Sequence, residues 1–256
     1  MTLYAATPKR FRALDRVTQD RHAPQLLRTG TPQPKSHYNI AALRKDGSLL
    51  IAEDRVPSID LFESAFSAFA RGTVIQTETG DRAIEDLQPG DMIQTSTGEA
   101  AKLLWIGSST FNQNVQEKRT KLIRVMADTF GQGRPSMFLT LGASARVLHT
   151  PDHLRGGDRN ARLLTPISTF VDGVNVIEVT PPTSITLFHL CLSRHAAIKA
   201  GGIEVETFHP GSQAPKRVSH TIRARFLSLF PHIDQFSDFG PLAHPRAPEI
   251  WPAEAH

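Results

Sequence analysis

The sequence predicts a mainly all-β protein, and three observations support that prediction. Residues 72–208 contain many short runs of β-branched and aromatic side chains. Glycine, proline, asparagine and aspartate interrupt these runs at intervals of about eight to twelve residues, a spacing typical of sandwiches and barrels. Sustained helical periodicity of apolar residues occurs only at residues 218–230, just before Pro231. We therefore expect one β-rich body, followed by a single amphipathic helix.

The elements can be assigned in chain order. Lys45-Asp46-Gly47 is the expected centre of a hairpin, because an Asp-Gly pair favours a tight turn. Residues 59–69 fit a short helix or a lead-in segment to the β body. Later strands are expected at 72–77, 91–95, 102–106, 121–126, 138–140, 145–149, 163–166, 174–180, 185–192, 196–199 and 203–208, with a connector at 83–87.

These elements divide the chain into four parts. Residues 1–36 form a basic, flexible arm, and residues 37–63 form the hairpin and the lead-in segment. Residues 64–212 are the main β domain. Residues 213–256 hold the C-terminal helix and an irregular, proline-rich tail, in which Trp251 is the residue best suited to anchor the chain.

The net excess of positive charge comes from the first residues of the chain. The net charge is +4, but residues 1–35 hold seven lysines and arginines against two aspartates, which is 7 − 2 = +5. The remainder therefore sums to 4 − 5 = −1. A nucleic-acid surface on the β body is not expected, and the arm is interpreted as a solvated extension.

The cysteine content and the hydropathy of the sequence restrict the cellular compartment that we expect. Cys191 is the only cysteine, so an intrachain disulfide is excluded and a reducing compartment is favoured. The sequence has no apolar run long enough to span a bilayer and no signal-peptide pattern at its start. A cytoplasmic protein without a membrane span is the default expectation, and signal-independent secretion stays open.

Two segments carry a family resemblance. One spans residues 66–107, and the other, LFHLCLSRHAAIKAGGIEVETFHPG, spans residues 187–211. Together they resemble the Hint domain, the self-processing module of Hedgehog proteins and inteins, in its bacterial stand-alone form. The resemblance covers about residues 64–212 and implies a pseudo-symmetric β fold of short strands. In the first segment it rests on Gly72-Thr73, Gly80, Ile84-Glu85-Asp86-Leu87, Pro89-Gly90-Asp91 and Trp105-Ile106-Gly107.

The resemblance implies two catalytic groups. In the family, a cysteine at the first position of the domain attacks the preceding carbonyl in an N-to-S acyl shift, and a histidine protonates the departing amide nitrogen. Spacing to Gly72-Thr73 aligns Ala68 with the nucleophile position. The block LGASARVL aligns Gly142 with an expected serine or threonine and Ala145 with the histidine, while Arg146 is retained. Both principal positions therefore carry inert side chains.

Other residues are candidates for substitutes or for a remnant pocket. Ser67 adjoins the nucleophile position, but neighbouring residues of an extended chain point to opposite faces, so its hydroxyl is expected to be misaimed. Cys191 lies in an apolar run and is expected to be a buried, unreactive thiol. His189 and His195 share one site only if the chain turns at Ser193-Arg194; otherwise they are separate core histidines with backbone partners. The remnant-pocket candidates are Thr73, Arg146, His189, Cys191 and His195.

The histidines after Ala145 predict neither a base nor a metal site. His149 lies four residues further along the strand, a distance of roughly 13 Å, too far to replace a histidine at position 145. His149 and His153 form an H-x-x-x-H pattern, but Pro151 lies between them and breaks the helical geometry that chelation requires. We expect no metal and no cofactor.

Several functional hypotheses remain open, among them nucleic-acid binding through the basic arm. The leading hypothesis is a Hint-fold protein without self-cleavage or self-splicing that binds an unidentified protein or small molecule. The alternative is autoprocessing near residues 67/68 through a non-standard nucleophile such as Ser67. A third interpretation is an active autoprotease that was inactivated by deliberate alanine replacements. Gly142 and Ala143 argue against it, because they also depart from the family pattern and a designer would not need to change them. The oligomeric state is left open.

Overall fold

The computed structural model describes residues 35–111, 120–151 and 162–247. Residues 1–34 of the predicted arm, His153 and Trp251 therefore lie outside the described residues, and the last two residues of that arm, 35 and 36, belong to the first strand instead. Fifteen strands and two α-helices are described, which confirms the mainly all-β prediction. The elements are β1 (Lys35–Leu43), β2 (Leu49–Pro57), α1 (Asp60–Ser64), β3 (Phe69–Ala70), β4 (Val74–Thr77), β5 (Gly80–Ala83), β6 (Met92–Gln94), β7 (Ala100–Phe111), β8 (Leu122–Val125), β9 (Leu139–Gly142), β10 (Arg146–His149), β11 (Leu163–Pro166), β12 (Val176–Val179), β13 (Ile185–Leu192), β14 (Ala197–Ala200), β15 (Ile203–Glu206) and α2 (His220–Leu227).

The strands follow one continuous antiparallel path. Their order is β11-β10-β15-β14-β4-β6-β7-β13-β3-β9-β8-β12, with β5 beside β4 and the hairpin β1–β2 off the path. The long strand β7 joins the two halves of this path, β11 to β6 and β13 to β12. Its first residues pair with β6 and its later residues pair with β13. A β-bulge between Cys191 and Leu192 marks the change of register.

The β1–β2 hairpin forms where the sequence predicts it. Gly47 adopts φ +81°, a left-handed conformation that glycine accepts without strain, and its N–H donates to the Arg44 carbonyl at 2.9 Å. Strand β1 also pairs with β7, with Ala41 opposite Ile106. The segment before the main β domain is therefore hydrogen-bonded into the sheet of that domain.

Two large apolar clusters lie on the sheet, and a third, small one holds Leu148, Leu164 and Ala197. The larger one joins side chains of both halves, including Ala68, Leu141, Ala145 and Ile198. The second cluster is aromatic and is centred on the fully buried Trp105, whose indole N–H donates to the Leu229 carbonyl at 2.8 Å. Its other aromatic members are Tyr38, Phe62, Phe66, Phe208, Phe226, Phe230 and Phe239.

The C-terminal helix is shorter than its apolar periodicity suggests. Ser219 caps α2 by accepting a hydrogen bond from the Ile222 N–H at 3.3 Å. The helix ends at Leu227, so Leu229 and Phe230 follow it in a turn and still reach the aromatic cluster. Among the described residues, no helix has the length and apolar character required to cross a membrane.

Candidate functional site

Ala68 lies at the junction of three strands and is completely buried. Its N–H donates to the Phe188 carbonyl at 3.0 Å, and its carbonyl accepts from the Gly142 N–H at 2.8 Å. The residue is therefore fixed on both sides by backbone hydrogen bonds, between β13 and β9. The methyl group belongs to the larger apolar cluster.

The carbonyl group before Ala68 is held tightly. The Ser67 oxygen accepts a hydrogen bond from the Ser144 N–H at 3.3 Å. A Cβ atom built on Gly142 would lie 2.0 Å from that oxygen and 2.7 Å from the Ser67 carbonyl carbon. Glycine is therefore required at position 142 with the backbone in this position, because any side chain would displace residue 67.

The hydroxyl of Ser67 points to another hydroxyl. Its Oγ donates to the Ser144 Oγ at 3.1 Å. A serine hydroxyl is a weak nucleophile unless a general base takes its proton, and a second hydroxyl is not such a base. The contact explains how the polar side chain of Ser67 is satisfied, and it provides no activation.

Ala145 occupies an apolar environment close to the same backbone. It is 1% exposed and belongs to the same cluster as Ala68. Its N–H donates to the Gly142 carbonyl at 3.2 Å, and its carbonyl accepts from the Ile167 N–H at 3.0 Å. We call Ser67, Ala68, Gly142, Ser144 and Ala145 the Ala68 site. The structure brings the two alanines into one apolar cluster beside the Ser67 carbonyl.

A second, polar cluster surrounds Glu206 at the end of β15. Its Oε1 accepts from His195 Nε2 at 3.0 Å and from Arg246 Nε at 2.8 Å, and its Oε2 lies 3.7 Å from Arg146 Nε. Burial alone would raise the pKa of Glu206, but the His195 hydrogen bond and the Arg246 charge outweigh it and lower that pKa. We call His195, Glu206, Arg246 and Arg146 the Glu206 cluster.

His195 enters this cluster because the chain bends after β13. The strand ends at Leu192, and the Ser193 N–H donates to the Lys102 carbonyl at 2.8 Å. His195 Nδ1 accepts a hydrogen bond from the Ala243 N–H at 2.9 Å, so the proton of the neutral ring lies on Nε2, facing Glu206. The chain bends at Ser193-Arg194, which is the condition for a site shared by His189 and His195.

His189 interacts electrostatically with the charged groups of the Glu206 cluster, but its ring lies among aromatic side chains. It is enclosed by Phe69 and Phe208, with ring centroids 5.7 Å and 5.3 Å away. Its Nδ1 accepts from the Leu190 N–H at 3.1 Å. Burial lowers the pKa of His189 to about 3, because the charged form would lose its hydration. His189 is therefore a neutral core residue, and His195 is the histidine that contacts Glu206.

Cys191 is buried in β13, as its apolar run predicts. Burial raises the pKa of its thiol to about 12, so the nucleophilic thiolate is disfavoured. The Sγ atom lies 3.6 Å from His232 Nε2. Burial also lowers the pKa of His232 to about 4, so the pair is a thiol beside a neutral imidazole. No charge relay between them activates the sulfur.

The remaining candidates have structural contacts. Thr73 precedes β4, and its Oγ1 donates to the Ala70 carbonyl at 2.7 Å, which closes the turn after β3. Arg146 Nε lies 3.7 Å from Glu206 Oε2. His149 Nε2 lies 2.9 Å from Thr165 Oγ1. Within the described ranges, no group of three or more His, Cys, Asp or Glu side chains could hold a metal ion.

Sequence reasoning missed Glu206, Arg246 and Ser144. Alternation along the strand places Glu206 on the opposite face from Ile203 and Val205, which predicts a solvent-facing residue. In the structure Glu206 is nevertheless buried, at 4% exposure. Arg246 lies in an irregular segment without periodicity. A carboxylate placed eleven residues after His195, across a predicted hairpin, was the signal that could have indicated an ion pair.

The strand order describes a β-rich domain, and Ala68 and Ala145 are buried within it. A model of the Hint domain family matches residues 67–212, more than half of the chain, and the chain therefore belongs to the Hint domain family.

Two solved structures illustrate the similarity. The bacterial intein-like domain from Clostridium thermocellum is 13% identical, with a TM-score of 0.37, over 56% of this chain and 99% of that chain. A DnaB intein from Synechocystis sp. PCC 6803 is 14% identical, with a TM-score of 0.33, over 56% of this chain and 99% of that chain. A search of curated proteins gives no significant match. The family assignment rests on the family model.

Proposed function

We propose that this chain is a Hint-fold protein that has lost self-cleavage and serves as a binding or scaffold module. One observation carries the proposal: alanines stand at both positions that the family resemblance assigns to catalytic groups, and both are buried in one apolar cluster. A methyl group at position 68 cannot attack the Ser67 carbonyl. A methyl group at position 145 cannot deliver a proton to the leaving nitrogen.

The backbone around the ancestral scissile bond supports the same proposal. The family pattern expects serine or threonine at position 142, whereas the Ser67 carbonyl occupies the space that a Cβ atom at Gly142 would need. The bond between Ser67 and Ala68 is therefore packed in a way that the family side chain would disturb. The close approach of the Ser67 carbonyl to Gly142 is therefore consistent with the loss of the catalytic side chains.

The segment before Ala68 also favours a retained scaffold over a released product. Strand β1 pairs with β7, and the Tyr38 and Phe66 rings pack 4.1 Å apart by their centroids. Phe66 in turn packs edge-on against Trp105 with centroids 5.3 Å apart. Residues 35–66 thus complete the aromatic cluster of the domain. Their release would remove Phe66 from Trp105 and Phe62 from Phe226 of α2.

Intact mass distinguishes the proposal from autoprocessing through Ser67. The purified chain, incubated with hydroxylamine or dithiothreitol, is expected to keep its full mass, because no general base activates the Ser67 hydroxyl. A fragment beginning at residue 67 or 68 would overturn the proposal. The Ser67→Ala variant is the matched control, since any fragment that depends on this hydroxyl must then disappear.

Restoration of the two catalytic groups tests whether the frame is retained. We expect the Ala68→Cys/Ala145→His double variant to fold, and thiol-dependent cleavage after Ser67 would show that the geometry still supports the family chemistry. The Ala68→Ser/Ala145→His variant provides a comparison without a thiol. If only side chains were lost, we expect the Ala68→Cys/Ala145→His variant to be cleaved and the natural chain to stay intact. If the Ala68→Cys/Ala145→His variant is not cleaved, the backbone has changed as well.

A further inference from the structure

A C-terminal segment pairs with the edge of the sheet. Residues 240–247, which we call the strap, follow the buried Phe239. The Leu164 N–H donates to the Pro245 carbonyl at 2.9 Å, and the Ala247 N–H donates to the Leu164 carbonyl at 3.0 Å. The strap therefore adds a short parallel bridge to β11, as an extended peptide does when it binds a sheet edge.

One arginine anchors the strap in the domain. Arg246 donates from Nε to Glu206 Oε1 at 2.8 Å and from a terminal nitrogen to the His209 carbonyl at 2.8 Å. The Glu206 side chain is 5% exposed, so this carboxylate has little access to water. A buried carboxylate requires cationic partners, and the planar guanidinium can satisfy the side chain and the nearby carbonyl together.

A second polar contact fixes the strap three residues earlier. The Ala243 N–H donates to His195 Nδ1 at 2.9 Å. The strap therefore presents a defined pattern: a backbone N–H to a histidine, a backbone carbonyl and N–H to β11, and an arginine side chain to Glu206. These contacts use the backbone of the strap and only one of its side chains, Arg246.

The apolar packing of the strap is poor. Of its described residues, 240–247, none belongs to the buried apolar clusters, and Pro241, Leu242 and Ala243 are exposed. A cavity of about 370 Å³ lies between the strap and the loops around Thr95–Thr97 and Ser193–Ala197. The strap is therefore held by hydrogen bonds and by the Arg246–Glu206 ion pair, with little apolar burial, so an extended peptide that supplies the same polar contacts can compete with it.

We propose that the edge of β11 together with Glu206 is a binding site for extended peptides that carry an arginine, and that the strap occupies this site in cis. The proposal rests on the binding role proposed above and names its ligand class. The ligand pairs its backbone with Leu164, places a guanidinium between Glu206 and the His209 carbonyl, and can fill the cavity with larger side chains than Leu242 and Ala243.

A labelled peptide tests the site in the full chain. The probe has the sequence of residues 240–248, GPLAHPRAP, with an N-terminal fluorophore, and a second probe carries alanine in place of its arginine. The Arg246→Ala protein is expected to bind the arginine probe about tenfold tighter than the natural chain, because its own strap competes less well. The alanine probe should bind the same protein about tenfold more weakly or not at all. Fluorescence anisotropy measures both.

Two matched variants locate the effect. Arg71→Ala removes an arginine from an exposed ion pair with Glu85 and should leave probe binding at the level of the natural chain. Glu206→Gln added to Arg246→Ala should abolish the preference for the arginine probe. Equal affinity of Arg246→Ala for the two probes, or absence of binding by the folded variant, would overturn the proposal.

The natural chain provides a measurement that does not depend on any variant folding. Excess arginine probe should speed hydrogen exchange at the Ala243 and Ala247 amides, and the alanine probe should not; identical rates with both probes count against the site. Intact mass separates the two proposals. An uncleaved chain that binds no probe contradicts only the peptide site, and a cleaved chain that binds it contradicts only the loss of autoprocessing.

Discussion

The Ala68 site lies within the residues that match the Hint family model, whereas the Glu206 cluster also takes Arg246 from beyond them, and the two sites differ in what they contain. Under the function proposed above, the Ala68 site holds methyl groups at the two positions that the resemblance assigns to a thiol and an imidazole. The Glu206 cluster keeps a carboxylate, a histidine and two guanidinium groups in the interior. An alanine in place of a nucleophile leaves nothing unsatisfied, whereas removal of one member of a buried ion cluster leaves charges without partners. The fold therefore depends on the polar residues of the Glu206 cluster more than on the side chains of the Ala68 site.

The strongest test of this contrast is Glu206→Ala. The substitution leaves Arg146 and Arg246, with side chains 14% and 22% exposed, facing each other without a carboxylate. We expect a loss of about 3–5 kcal/mol in the free energy of unfolding. Urea denaturation measures it, and Glu99→Ala, which breaks an exposed pair with Arg194, is the control with an expected loss below about 1 kcal/mol. Similar losses in both variants would remove the distinction between the cluster and the surface.

Gly142→Ser introduces the family residue type into the Ala68 site. The new Cβ would meet the Ser67 carbonyl oxygen at 2.0 Å, so the backbone must move, at a cost of about 2–3 kcal/mol. Ala143→Ser places the same hydroxyl on the exposed neighbouring residue and should change stability by less than about 0.5 kcal/mol. Thermal unfolding compares the two. A neutral Gly142→Ser would mean that the backbone at residue 67 is free to return to a family-like position.

The pH dependence of stability tests His189, which packs on Phe69 next to Ala68 and interacts electrostatically with Glu206. The unfolded histidine takes up a proton near pH 6.5, but the folded one resists protonation down to a pKa of about 3. Stability from this residue is therefore complete above pH 6.5 and is lost progressively as the pH falls from 6.5 towards 3. Between pH 7 and pH 5 the natural chain should lose about 2 kcal/mol more than His189→Gln.

Parallel urea titrations at the two pH values supply that difference. His37→Gln alters an exposed histidine and should retain the pH dependence of the natural chain. If His189→Gln loses as much stability on acidification as the natural chain, the histidine is not held neutral by its surroundings.

The smallest expected effect is that of Ala68→Cys. The methyl group becomes a thiol with little added volume, so we expect a change of less than about 1 kcal/mol in stability. The chain should stay uncleaved, because Ala145 still provides no proton. Intact mass in the presence of dithiothreitol checks this outcome. Cleavage by the single variant would show that another group can protonate the Ser67–Ala68 amide nitrogen.

Much of the fold follows from local sequence signals. The Asp46-Gly47 turn, the strands 163–166 and 185–192 and the mainly all-β class are confirmed, since turn residues and β-branched runs act over a few neighbours. The helix end was less well defined. Leu229 and Phe230 continue the apolar periodicity of α2 because they pack on the aromatic cluster, although they lie in the turn after it.

The sites could be read from sequence only in part. The family spacing draws attention to Ala68 and Ala145, but it does not predict that the Ser67 carbonyl fills the space above Gly142. The Glu206 cluster depends on residues from three distant segments, with Arg246 forty residues after Glu206. Tertiary contacts of this length leave no periodic trace, so the ion cluster had to be seen in three dimensions.

The pairing of β1 with β7 has a consequence for any cut between Ser67 and Ala68. The upstream piece would keep its register from Asn39 to Ala42 against the downstream piece, as well as its place beside Trp105. The two pieces would then behave as a self-assembling pair of fragments: separate bands on a denaturing gel, and a single species on a sizing column. Coexpression of residues 1–67 with residues 68–256 would be a direct way to reconstitute the domain.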